Sequence, residues 1–294
     1  MSNIFSIFSQ RSFLAESIFV GQTEVVRRIL QNNDTAVNQK YGGMSPLQHA
    51  VHREQYETTA LLLQHGADTE AKKGVTKQTA LMMAASSGNK NITGLLLRYN
   101  ASLNDQDWKG DSALIKATAS NVTEVVTLLI KKDADADIQN SMGETALMKA
   151  TANRNKEIVD LLLKYGANYD IQDKNGDTAL IIAVKTGNVD IFNKLIVHGA
   201  DMEKRNRQDE TALFISVVLL DIEIAEILLK NGADTEKHIN NISPLEWIAM
   251  EYDDIKDEGD NDKVEIKEKK LKMLRLLEKY CKNLSPLYEY DLDF

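Results

Sequence analysis

The chain has 294 residues, with 35 basic against 44 acidic side chains, a formal net charge of −9 and a pI near 5.2. That balance excludes a general binder of phosphate backbones, which needs a basic stripe. A single cysteine, Cys281, excludes an internal disulfide framework and points to a reducing, cytoplasmic setting.

In chain order, residues 1–40 come first. The opening stretch "MSNIFSIFSQRSFLAESIFVG" is apolar, but Arg11 and Glu16 interrupt it. It predicts an amphipathic end helix, not a targeting segment. No run of 18 apolar residues occurs, so no membrane partner is expected. "FLAESIFVGQTEVVRRILQNNDTAVNQ" follows a two-helix pattern that turns Leu14, Ala15, Val25, Val26, Ile29 and Leu30 inward.

From residue 41 the chain repeats itself. A Thr or Ser before an Ala/Pro-Leu pair stands at Ser45, Thr79, Ser112, Thr145, Thr178, Thr211 and Ser243, at spacings of 34, 33, 33, 33, 33 and 32. These hydroxyls suit helix N-caps, and Pro46 and Pro244 fall one residue later, where a missing N–H costs little. Ala146, Leu147 and Ala150 then share one helical face, and Ile158, Val159, Leu162 and Leu163 share another. After the second helix come Gly66, Asn100, Asp133, Gly166, Gly199 and Gly232, the residue types that tolerate a left-handed turn. The turn after the first helix carries Gly88 and Gly187 but also Glu54, Asn121, Arg154 and Leu220. If Arg154 and Leu220 hold positive φ, each costs on the order of 1 kcal/mol.

Residues 242–294 close the array. After Ser243 comes an insertion of about sixteen residues including "DDIKDEGDNDKVEIKEKK"; a second helix resumes at "LKMLRLLEKYCKN", and the tail "LSPLYEYDLDF" follows. The period and the motifs "SPLQHA", "TALMMA", "SALIKA", "TALMKA", "TALIIA", "TALFIS" and "SPLEWI" resemble the ankyrin repeat, over about residues 11–280. The family's histidine after Leu is missing from every copy, which removes one hydrogen bond. The resemblance implies an all-α solenoid of paired antiparallel helices with short β-hairpin or loop tips. It implies about eight units in one domain spanning 1–294: a degenerate cap (1–40), six regular repeats (41–241) and a C-terminal cap (242–294).

The resemblance also implies that a partner protein meets the hairpin tips and the exposed face of the first helices. Carried onto this chain, those positions include Tyr41, Met44, Arg53, Val75, Trp108, Met142, Lys174, Lys185 and Arg207. Trp, Tyr and Met are enriched at interface cores. The early tips therefore read as an apolar anchor, and Lys174, Lys185 and Arg207 as a basic flank for an acidic, partly hydrophobic peptide. Asn104 matches the setting of asparagines that are hydroxylated in some ankyrin proteins.

Chemistry is sparser. His49 and His52 share a helix face, but no third ligand completes a metal site. Cys281 has no His/Asp partner and reads as a packed thiol. From Asp254, Gly259 and Glu265 fit a calcium loop, but Lys256 at a ligand position and Asn261 at an apolar one do not, leaving a solvated acidic loop. No glycine-rich phosphate loop appears. The expectation is therefore a monomeric, non-enzymatic scaffold or adaptor with no cofactor, metal or nucleic acid. The alternative is a regulatory inhibitor or microbial effector whose C-terminal insertion and tail carry the activity.

Overall fold

Every Thr or Ser that sets the repeat register begins a helix. In the computed structural model, which describes residues 13–32, 36–236, 239, 242–253 and 261–281, each of these hydroxyls accepts the backbone N–H three residues on, at 3.2–3.3 Å. The first helices of the repeats are α3 (Pro46–His52), α5 (Ala80–Ser87), α7 (Ala113–Ala119), α9 (Ala146–Ala152), α11 (Ala179–Lys185), α13 (Ala212–Val218) and α15 (Pro244–Asp253). Their partners are α4 (Tyr56–Gln64), α6 (Lys90–Arg98), α8 (Thr123–Ile130), α10 (Lys156–Lys164), α12 (Val189–Val197), α14 (Ile222–Lys230) and α16 (Asn261–Tyr280). Ahead of them stand α1 (13–20) and α2 (Thr23–Asn32).

The turns follow backbone sterics. Gly66, Asn100, Asp133, Gly166, Gly199 and Gly232 all have positive φ, as do Glu54, Gly88, Asn121, Arg154, Gly187 and Leu220 after the first helices. In the fourth regular repeat Ala167 N–H returns to Leu162 O at 3.0 Å and Gly166 N–H to Leu163 O at 3.0 Å, which satisfies two orphan carbonyls. The residue after the first turn has a second duty. Asn89, Asn155, Asn188 and Asp221 each cap the next helix through the side chain. Arg154 (φ 57°) and Leu220 (φ 56°) hold positive φ, so the condition under which each costs on the order of 1 kcal/mol is met.

The chain forms two compact units, one ending at Asn168 and the other starting at Tyr169. In the first, Leu47, Leu81, Leu114 and Leu147 of the first helices are 1% exposed, and Leu62, Leu96, Leu129 and Leu162 of the second are fully buried. Ala50, Ala84, Ala117 and Ala150 are also fully buried, and their small side chains let α3, α5, α7 and α9 pack in file. At the N-terminal end Leu14, Val26 and Leu30 are buried as expected; Ala15, Val25 and Ile29 are half-buried, and Ile18 joins the core.

In the second unit Phe192 is fully buried and Trp247 meets Phe214 edge-on at 6.0 Å. Ser216 takes the place that alanine holds elsewhere, and its hydroxyl donates to Leu213 O at 2.7 Å. The last helix begins at Asn261, ten residues before the resumption read from sequence. Glu265 and Lys269, paired at 2.7 Å, support that added length. Nearly buried Lys270 ties α16 to Glu251 through its carbonyl (2.7 Å) and carboxylate (3.0 Å). Residues 254–260 of the calcium-loop reading and the tail 284–294 lie outside the described residues, while Asn261 and Glu265, the last part of that reading, lie on α16.

Candidate functional site

The missing histidine is answered in the first regular repeat by Gln48. This side chain, fully buried, donates to Ala71 O (2.6 Å) and Gln78 O (2.8 Å) and accepts Ser45 N–H (2.9 Å). It fastens the start of α3 to the following tip. Met82 and Met148 occupy the same place, each with sulfur 3.5 Å from the anchor N–H, and Glu246 accepts Ser243 N–H at 2.7 Å. The hydrogen bond counted as lost is therefore partly replaced.

Four of the tips are closed by an Asp or Asn five residues before the anchor. Asp107 Oδ1 accepts the N–H groups of Lys109 and Asp111, and Asn140 Oδ1 those of Met142 and Glu144. In the second unit Asp173 Oδ1 accepts those of Asn175 and Asp177, and Asn206 Oδ1 those of Gln208 and Glu210. Gly110, Gly143 and Gly176, and Asp209 in the last copy, take the positive φ that this turn requires. A Cβ on Gly110 would lie 2.7 Å from Ser141 N, so the tips also touch closely. The sequence signal for these turns, Asp/Asn recurring at 107, 140, 173 and 206, went unread.

The tips of the first unit are tied in series. Gly74 N–H donates to Gly43 O (3.0 Å), Trp108 N–H to Thr76 O (3.1 Å) and Ser141 N–H to Lys109 O (2.7 Å). Val75, Trp108 and Met142 ride on these tethered segments at 91%, 57% and 54% exposure. The structure thus brings three of the expected contact residues into one file. Met44 does not join them: its backbone pairs with Tyr41, and its side chain is buried in the core. Tyr41 is half-buried. Arg53 is exposed, and its guanidinium lies 3.8 Å from the centroid of the Phe19 ring.

In the second unit Arg207 N–H donates to Asn175 O at 2.7 Å, so the tips carrying Lys174 and Arg207 are tied in the same way, with both side chains exposed. Lys185 instead grips both oxygens of Asp177 at 2.7 Å. Lys185 itself stays exposed, so that pairing, which sequence spacing does not reveal, anchors its ammonium beside the tip.

The acids of the first unit's tips are turned inward. Asp107 pairs with Lys116 at 2.8 Å, Asp111 lies 3.7 Å from the same Lys116, and Glu144 pairs with Lys149. Burial pushes the Asp107 carboxyl up. The bond and charge of Lys116 and the N–H groups of Asp111 and Lys109 overcome that push and hold it below the usual carboxylate range. Glu144 is shifted the same way: burial raises it, and Lys149 and Asn140 lower it further.

A second ladder joins repeats at the turns. Glu70 accepts Ser102 N–H, Asn104 accepts Asp135 N–H and Asp137 accepts Asn168 N–H; in the second unit Asp170 accepts Asp201 N–H and Glu203 accepts Asp234 N–H. Asn104, the candidate hydroxylation site, is exposed, and its Oδ1 is engaged at 3.0 Å. His49 Nε2 lies 3.0 Å from Tyr41 O. Burial pushes the half-buried Cys281 thiol up, away from the reactive thiolate. Among the described residues no helix is long and apolar enough to cross a membrane, and no group of three or more metal-ligating side chains converges.

Comparison with known proteins agrees with this geometry. A family model of ankyrin repeats in three copies matches residues 12–107, 81–173 and 166–241. The chain is 32% identical over 105 residues to the ankyrin repeat and KH domain-containing protein mask of Drosophila melanogaster. It is 30% identical over 106 residues to mask-1 of Caenorhabditis elegans. Those stretches are 35% and 36% of this chain but only 3% and 4% of the relatives' length. Among solved structures, the ankyrin repeat domain of Bcl-3, described as a unique member of the IkappaB family, superposes with a TM-score of 0.65 at 26% identity. The match covers 69% of this chain and 92% of that one.

Proposed function

Because the chain belongs to the ankyrin repeat family, we propose that it is a protein-binding scaffold that engages its partner through the tethered tips of the first unit. The observation that carries this reading is the file of Val75, Trp108 and Met142, three large apolar side chains exposed on backbone segments hydrogen-bonded to one another. Water-exposed apolar groups on a rigid support gain area on binding and lose little entropy in doing so. The tips also carry no arrangement of nucleophile, base and oxyanion donors, so binding rather than chemistry is what they offer.

Lys174 and Arg207 are the second part of the proposal, as contacts for an acidic stretch of partner through the second unit. Lys185, exposed but paired with Asp177, adds less to that flank than an unpaired cation would. Function on this fold resides in the exposed surface, so the partner is defined by what that surface accepts.

Photo-crosslinking tests the reading. A photoreactive side chain at Val75 or Met142 is expected to capture a partner protein that one at exposed Glu124, on α8, does not. Trp108→Ala should lower capture about fivefold, the equivalent of ~1 kcal/mol for a lost anchor. Equal capture from Glu124 would discard the tips as the binding face.

A further inference from the structure

Net charge hides how charge is distributed on the first unit. Its tip segments (68–78, 102–111 and 135–144) carry twice as many acids as lysines, but folding engages the acids. Asp107, Asp111 and Glu144 are turned onto Lys116 and Lys149, Asp105 pairs with Lys72 at 3.3 Å, and Glu70 is engaged by Ser102 N–H. Lys77 and Lys109 remain exposed, and no acidic side chain pairs with either among the described residues. Lys109 Nζ lies 5.3 Å from the centroid of the Trp108 ring, and Lys77 follows Thr76, whose carbonyl receives Trp108 N–H. Two free cations therefore flank the apolar file of an acidic protein.

Spacing narrows the partner further. Stacked helix pairs lie roughly 8–10 Å apart, so the tips they carry recur at about that distance. A helix brings residues i and i+7 to one face ~10.5 Å apart. A strand rises ~10 Å in three residues, but that odd step turns the side chain to the opposite face. The file therefore favours a helix. Building on the tip-binding reading above, we propose that the first unit accepts an acidic amphipathic helix. Its apolar residues at i, i+7 and i+14 cover Val75, Trp108 and Met142, and its carboxylates meet Lys77 and Lys109.

The test uses the full chain and labelled 18-residue peptides followed by fluorescence anisotropy. The probe carries Leu at positions 2, 9 and 16 and Glu on the flanks of that stripe. One control replaces every Glu by Gln, and a second places Pro at the centre with composition otherwise kept. The proposal expects the Glu peptide to bind at least tenfold tighter than either control. Trp108→Ala should weaken it about fivefold, and the Lys77→Glu/Lys109→Glu pair at least tenfold, while unfolding midpoints stay near wild type.

Equal binding of the Gln peptide removes the charge argument, and equal binding of the Pro peptide removes the helix. Equal or tighter binding of single-stranded DNA assigns the lysines to phosphate and overturns the proposal. Failure of every peptide, with crosslinking from Val75 intact, overturns this inference and leaves the tip-binding reading standing.

Discussion

Gln48→Leu removes a buried polar side chain that joins a helix start to the next tip. Wild-type Gln48 is fully buried and makes three hydrogen bonds. Gln78 O keeps a partner after the change, because it also accepts Lys73 N–H at 2.8 Å. Ser45 N–H and Ala71 O lose theirs. Each orphaned buried group costs about 1–3 kcal/mol, and the added apolar carbon of Leu offsets about 1 kcal/mol. The expected net loss is therefore about 1–5 kcal/mol in urea unfolding, together with faster hydrogen exchange at the tip of residues 71–78. Gln48→Met should cost about 1 kcal/mol less, because Met82 and Met148 show that a sulfur in this place reaches the anchor N–H at 3.5 Å. A Gln48→Leu chain within 0.5 kcal/mol of wild type would refute the reasoning, since the three contacts would then carry no net weight.

The other predictions concern groups that the fold treats less well, and one that it treats unusually well. Thr118 and Thr151 have buried hydroxyls without a hydrogen-bond partner among the described residues, where other repeats carry Val51, Val184 or Val217; Thr151→Val should raise stability by about 1 kcal/mol in the same melt. Glu54 is exposed with φ of 55°, and Glu54→Gly should relieve the strain for a gain of about 0.5–1 kcal/mol after the glycine's own entropy cost. Asp107 is held below its ordinary pKa, so its stabilisation is complete above roughly pH 4 and is lost as pH falls through the lower folded value. Asp107→Asn keeps the turn bonds, as Asn140 and Asn206 do, and should lower stability at pH 7 while flattening its decline below pH 4; an unchanged acid slope would exclude Asp107 as a source of it.

What sequence could and could not show divides along local and non-local causes. The N-caps and the glycine, asparagine and aspartate turns depend on one residue and its immediate backbone, whereas Arg154 and Leu220 take positive φ against their own preference, which only the surrounding fold imposes. Met44 was misplaced because its tip pairs back on Tyr41 and sends the side chain inward, which spacing from the anchor does not encode. The pairing of exposed Lys185 with Asp177 joins residues eight apart and is not encoded in the repeat spacing, and α16 begins early because its first turns are rich in helix formers. The motif lacks histidine, yet the long amide of Gln48 reaches Ala71 O and Gln78 O, a pairing that a match by residue type does not reveal.

The candidate site was legible as a set of types and illegible as a field. Counting residues gives −9 and suggests a surface that repels acidic ligands. In the folded first unit the tip carboxylates are committed to Lys116, Lys149 and backbone N–H groups, and they close their fields over a few ångströms. A neutralised pair contributes little at a distance, whereas an unpaired lysine projects across roughly a Debye length of ~8 Å. On the docking proposal above, an acidic helix meets Lys77 and Lys109 beside Val75 and Trp108 before it meets the net charge of the whole chain. The same inward acids also hold the turns that keep the apolar file rigid. One set of contacts thus produces the order of the tips and the sign of what they attract.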